Sequence, residues 1–173
     1  AVKGAIDASE FGNKNESPEF STLAKAPLTE LDLNISQSHS INELLLILKN
    51  AEKELIDKHK SIDSVPYNGL SESYMERLYI NSEGANRYME LTQSSIYLYA
   101  KGQEENKKPR SAGAIKVDNN LKALDIESCI NETSNKLISH LNYKAIETKK
   151  YLVCFTPESF LQLISAFSSM FNA

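Results

Sequence analysis

The chain has 173 residues, 41% hydrophobic and 24% charged, with a formal net charge of −4. This composition suits one ordinary globular domain, or a domain with part of another, and no run approaches the ~18 consecutive apolar residues of a spanning helix. The acidic balance argues against general nucleic-acid binding, which draws on clustered Lys and Arg. The one basic run, Lys107-Lys108-Pro109-Arg110, is short and reads as a solvated loop.

The start, AVKGAIDASEF, lacks both an initiator Met and the apolar centre of a signal peptide, so the sequence is expected to begin partway through a longer protein. Val2 and Ile6, among Ala1, Ala5 and Ala8, fit the last turns of a helix. Gly12 to Leu33 holds two prolines and no sustained period, and reads as an extended connector packed down by Phe20, Leu23 and Leu28. Residues 1–35 are thus the end of a preceding helix plus a connector, and residues 36–173 an α+β domain truncated at its C-terminal helix.

Ser40 followed by Glu43 is a capping box. The helix it opens carries Ile41, Leu44, Leu45, Leu48, Ala51 (or Glu52) and Leu55 on one face and should end near Lys60. Ile62 to Leu70 reads as a strand in which Pro66 cannot donate to a ladder, which makes it an edge or a bulge. Tyr74 to Gly102 is the centre of the chain: alternation over Met75 to Ile80, the turn formers Asn81, Ser82, Glu83 and Gly84, then an aromatic-rich arm from Arg87 to Ala100, together the signature of a hairpin. In that arm Tyr97 and Tyr99 share a face, which suits either a covered sheet or a stacking surface. Ser111 to Val117 is a further strand after the polar loop from Gly102 to Pro109, and short connections favour antiparallel pairing.

Asp125 caps the next helix, whose stripe is Ile126, Ile130, Thr133, Leu137 and Leu141 with Cys129 and Ile138 beside it. Tyr151 to Phe155, YLVCF, is apolar on both faces and reads as a strand buried on both sides. Thr156-Pro157 starts the last helix, where the hydroxyl caps and the missing proline amide costs nothing. That helix is apolar almost all round, so a continuation of the protein or another subunit is expected to cover it. The fold class is α+β: a mainly antiparallel sheet of about four to five strands covered by two to three helices, part of a larger two-domain protein.

No catalytic, cofactor or metal constellation emerges. His39, His59 and His140 lie far apart and outside any HExxH or HExxxH pattern. There is no phosphate-cradling glycine motif, and Ser82 sits in a turn sequence, not a nucleophile elbow. Glu104 and Glu105 fall in a loop, where solvation is the default. Cys129 and Cys154 show no metal or disulfide spacing and read as buried thiols of a reducing cytoplasm.

Several segments, in order, resemble the TldD/PmbA family, also called modulators of DNA gyrase. These are LYINSEG at Leu78 to Gly84, the Ser, Thr and aromatic arm at Met89 to Ala100, the helix after Leu124-Asp125, YLVCFTP at Tyr151 to Pro157, and the closing Phe171-Asn172-Ala173. The resemblance implies cytoplasmic prokaryotic dimers of well over twice this length. In them a TldD-type subunit carries zinc on an HExxxH helix plus a distant Cys and hydrolyses unfolded polypeptides or peptides. A PmbA-type (TldE) subunit lacks that motif and acts as its partner. LQLISAFSSMFNA, where the histidine motif would stand, contains no His or Glu. The chain therefore resembles the PmbA type, with no zinc ligand of its own, Cys154 included, and zinc expected in a TldD-type partner. The expected partners are that subunit or a second copy, and a peptide substrate, with neither nucleic acid nor membrane. A stand-alone α+β interaction domain, binding a peptide or protein through its sheet, is the other reading of the same residues.

Overall fold

In the computed structural model, residues 2–11, 23, 26, 35 and 38–171 are described. The connector from Gly12 to Leu33 therefore lies outside the described residues except at Leu23 and Ala26. The chain divides into two compact units, Ala1–Asn142 and Tyr143–Ala173.

The first unit opens with α1 (Val2–Ser9), none of whose residues is buried. The Ser40 capping box then starts α2 (Ile41–Asp57), with both halves formed: Ser40 Oγ accepts from the Glu43 amide at 3.3 Å, and Glu43 Oε2 accepts from the Ser40 amide at 2.8 Å. The Ser40 hydroxyl, which also donates to Glu43 Oε2 at 2.7 Å, and then the Ser40 amide hold the Glu43 carboxyl below its ordinary pKa. Three strands follow, β1 (Ile62–Ile80), β2 (Asn86–Gly102) and β3 (Arg110–Asp118), in the antiparallel order β1-β2-β3. The second long helix, α3 (Ile126–Leu141), is capped by Asp125, whose carboxylate accepts from the Ser128 amide at 2.8 Å.

Both long helices cover one face of the sheet, α2 over β1 and α3 over β2 and β3. Ile96, Leu98 and Ala100 of β2 and Ala112 and Ala114 of β3 meet Leu55 of α2 and Cys129, Ile130, Leu137 and Leu141 of α3 in one core. The small residues on β3 let α3 come close. Cys129 Sγ donates to the Ala114 carbonyl at 3.5 Å and Thr133 Oγ1 to the Leu98 carbonyl at 3.4 Å. Burial raises the pKa of the Cys129 thiol, which keeps it protonated and inert.

The α+β architecture is the expected one, but the sheet has three strands among the described residues, not four or five. Ile62 to Leu70 and the first hairpin arm are one continuous 19-residue strand. Pro66 does sit on an edge strand beside a register shift between Ser64 and Tyr67. YLVCF forms no strand: the second unit holds irregular chain, then α4 (Pro157–Phe167) and a 3-10 turn (Ser168–Phe171). A strand exists through a neighbour's hydrogen bonds, and no described strand pairs with YLVCF. Cys154 is correspondingly exposed, not buried. Thr156 and Pro157 start α4 as expected, with the Ser159 amide donating to Thr156 Oγ1 at 3.3 Å, and none of its residues is buried.

Candidate functional site

The candidate surface is the sheet face that neither α2 nor α3 covers. The pairing Tyr67↔Tyr99, Gly69↔Tyr97, Tyr99↔Gly113 and Tyr97↔Ile115 places these side chains together, with Val117 opposite Ser95 at the end of β3. Tyr97 and Tyr99 are 46% and 39% exposed, and Tyr67, Ile115 and Val117 are more exposed still. The rings lie down across the glycines beside them. A Cβ on Gly69 would stand 2.3 Å from Tyr97 Cε1, and one on Gly113 2.7 Å from Tyr99 Cδ2. Tyr67 and Tyr99 complete the plate, with centroids 6.0 Å apart and planes tilted by 56°. Such a surface presents aromatic area at low conformational-entropy cost. Tyr97 and Tyr99 were legible as a pair in the sequence. Tyr67, the glycines, Ile115 and Val117 emerge only from the register.

β1 and β2 run on past the end of β3, which pairs no further along β2 than Ser94, as a two-stranded ribbon closed by the Asn81–Ala85 turn. Gly84 adopts φ 83°, and Asn81 Oδ1 accepts from the Ala85 amide at 2.9 Å. Ser82 is thus a turn residue. At the root of the ribbon Glu72 grips His39, accepting from its backbone amide at 2.8 Å and lying 3.0 Å from its Nδ1. Further along, Glu76 and Glu90 sit directly opposite each other, a repulsive placement for two carboxylates. The Tyr74 hydroxyl lies 2.9 Å from Glu76 Oε1 and 2.7 Å from Glu90 Oε1, so its single proton serves two acceptors, while Tyr88 donates to Glu90 Oε1 at 2.8 Å. The two phenols, Tyr74 first, hold Glu90 below its ordinary pKa, and the carboxylates, Glu90 first, push Tyr74 upward.

The histidines do not converge. Besides His39, His59 Nδ1 accepts from the Ser61 amide at 3.1 Å, and His140 Nδ1 lies 3.2 Å from the Ser111 carbonyl. Among the described residues no three His, Cys, Asp or Glu side chains could hold a metal ion. Glu104 pairs with Lys107 at 2.6 Å in the loop between β2 and β3, and no described helix is long and apolar enough to cross a membrane.

A helix-backed antiparallel sheet with an open aromatic face defines an α+β domain. The PmbA/TldA metallopeptidase central domain matches residues 34–141, more than half of the sequence, and the chain belongs to that family. No curated protein matches at a significant level. Solved structures share the fold, among them the following two. A Bacteroides thetaiotaomicron protein named as a modulator of DNA gyrase is 15% identical with a TM-score of 0.71, over 84% of this chain and 34% of its own. A Thermotoga maritima protein of the same description is 17% identical with a TM-score of 0.68, over 84% and 33%. The chain spans about a third of the length of these structures.

Proposed function

We propose that this chain is the scaffold part of a PmbA-type (TldE) subunit that has no catalytic metal of its own and acts in a cytoplasmic peptide-processing assembly. Zinc is supplied by a TldD-type partner subunit bearing HExxxH. The observation that carries this reading is the match to a metallopeptidase central domain over residues 34–141, in a chain whose α4 sequence, PESFLQLISAF, has no histidine. The open tyrosine face supports it further, because a surface that holds extended chain without chemical groups suits the wall of a proteolytic chamber.

The test is to produce the chain alone and together with an HExxxH subunit from the same source, then measure bound zinc by mass spectrometry and casein digestion. The pair is expected to bind zinc and cleave casein, whereas the chain alone does neither. Stoichiometric zinc on the isolated chain, or cleavage by it, overturns the proposal.

A further inference from the structure

The two faces of the long hairpin carry opposite charge. On the open face the register places Lys101, Tyr99 and Tyr97 in one row along β2, with Tyr67 opposite Tyr99 on β1. Arg77 and Arg87 fall in the same series further along the ribbon, where Arg87 is already engaged by the Ala26 carbonyl. Beyond the slips, the carboxylates of the hairpin, Glu72, Glu76 and Glu90, all fall on the other face. There Glu72 holds His39, and Glu90 accepts from two phenols. Among the described residues neither Lys101 nor Arg77 enters an ion pair: Lys101 is exposed, and Arg77 Nη2 donates to Met75 Sδ at 3.7 Å. Asp63, at the start of β1 before the slips, forms no ion pair with Lys101. In a chain of net charge −4, the open face is thus a basic and aromatic track.

Side chains on one face of a strand stand ~6.8 Å apart, and an extended peptide presents its own alternate side chains at the same interval. Laid along β2, such a peptide sets a carboxylate over Lys101 and two large apolar side chains over Tyr99 and Tyr97, with Tyr67 and Ile115 flanking them. Single-stranded nucleic acid, the other chain that stacks on aromatic rings, fits less well. It brings a phosphate at every nucleotide, whereas the open side of β2 offers no cation from Tyr99 to Met89. We propose that the open face docks an extended acidic peptide, recognised by a carboxylate at Lys101 and by two apolar or aromatic side chains at the next alternate positions, over Tyr99 and Tyr97. The inference names the substrate class of the chamber wall and rests on that reading for its setting, while the binding itself belongs to this chain alone.

The test is fluorescence anisotropy at low salt, with the full 173-residue chain and labelled peptides in which Glu-Ser-Phe-Ser-Phe, or its reverse, is flanked by serines. In one direction or the other, the glutamate peptide should bind about fivefold or more tightly than its lysine counterpart, since attraction at Lys101 becomes repulsion. Lys101→Glu should reverse that preference, which a misfolded variant cannot do. Lys122→Glu, the same charge change at an exposed lysine outside the sheet, should leave it as it was. Tyr99→Ala should weaken both peptides by about fivefold or more, as the loss of an interface aromatic does. The proposal is overturned by equal binding of the glutamate and lysine peptides, by a preference that Lys101→Glu does not reverse, or by binding indifferent to Tyr99→Ala. A short oligo(dT) that binds more tightly than either peptide, or no binding at the highest soluble concentration of the chain, also overturns it. The outcomes separate from those of the peptidase reading. Zinc and casein cleavage by the pair without peptide binding refute the wall chemistry alone, and peptide binding without cleavage by the pair refutes the peptidase reading alone.

Discussion

Two glycines on the open face separate a steric clash that can relax from one that cannot. At Gly69 the added methyl of an alanine would meet Tyr97 Cε1 at 2.3 Å and Cζ at 2.8 Å, the outer atoms of a half-exposed ring that can swing toward solvent. At Gly113 it would meet Tyr99 Cδ2 at 2.7 Å but also the Leu98 carbonyl oxygen at 2.7 Å, a backbone atom of the central strand fixed by ladders on both sides. Gly69→Ala should therefore change stability by no more than about 0.5 kcal/mol, since displacing the ring is offset by the smaller conformational freedom of the unfolded chain. Gly113→Ala should destabilise by about 1–3 kcal/mol, as overpacking against a rigid neighbour does. Urea unfolding followed by far-UV circular dichroism reads both values, and near-UV dichroism reports the tyrosines, which should change clearly in Gly69→Ala despite its small effect on stability. If Gly69→Ala costs as much as Gly113→Ala, the rings are not the yielding element and the account of the aromatic plate is wrong.

Leu137 is 0% exposed between α3 and the sheet, so Leu137→Ala should cost about 2–5 kcal/mol in the same assay; under 1 kcal/mol would mean that α3 is not firmly docked. A thiol reagent such as Ellman's should titrate one cysteine in the native chain and two in denaturant, because Cys154 is exposed while Cys129 is buried and held protonated; two fast native thiols would contradict this. Glu90 has its pKa lowered by Tyr74 and then Tyr88, so its support of the ribbon is present above the ordinary carboxylate range and is lost as pH falls through the lowered value, on the acid side of that range. In proton NMR the ribbon resonances should shift over that acid range and not in Glu90→Gln, and an identical response of the two would remove the cluster from the explanation.

Features fixed by local chemistry were legible in the sequence: the Ser40 box, the Asp125 cap, the Thr156-Pro157 start and the Asn81–Gly84 turn all depend on groups a few residues apart. Features fixed by a distant partner were not. The polar Ser71, Glu72 and Ser73 look like a break in β1, but the strand runs through them because β2 offers Ser95, Ser94 and Gln93 opposite. YLVCF has every local mark of a buried strand and lacks a described neighbour to make it one.

Tyr67 shows why the candidate surface was harder to see than the scaffold. Val65 and Tyr67 are two residues apart, and strict alternation puts them on one face, yet Val65 is buried in the helix-side core and Tyr67 lies on the open side. The slip between Ser64 and Tyr67 adds a residue to β1 relative to β2 and exchanges the faces from that point on. Pro66 gives the physical reason, since a residue without an amide proton can be skipped by the ladder at no loss of a hydrogen bond. Keeping every residue but pairing the two strands without the slip would set Tyr67 opposite Leu98, turned inward under α2, and leave Tyr99 without its aromatic neighbour. The aromatic surface is thus a consequence of the bulge as much as of the tyrosines, and a sequence pattern read without its register cannot reveal it.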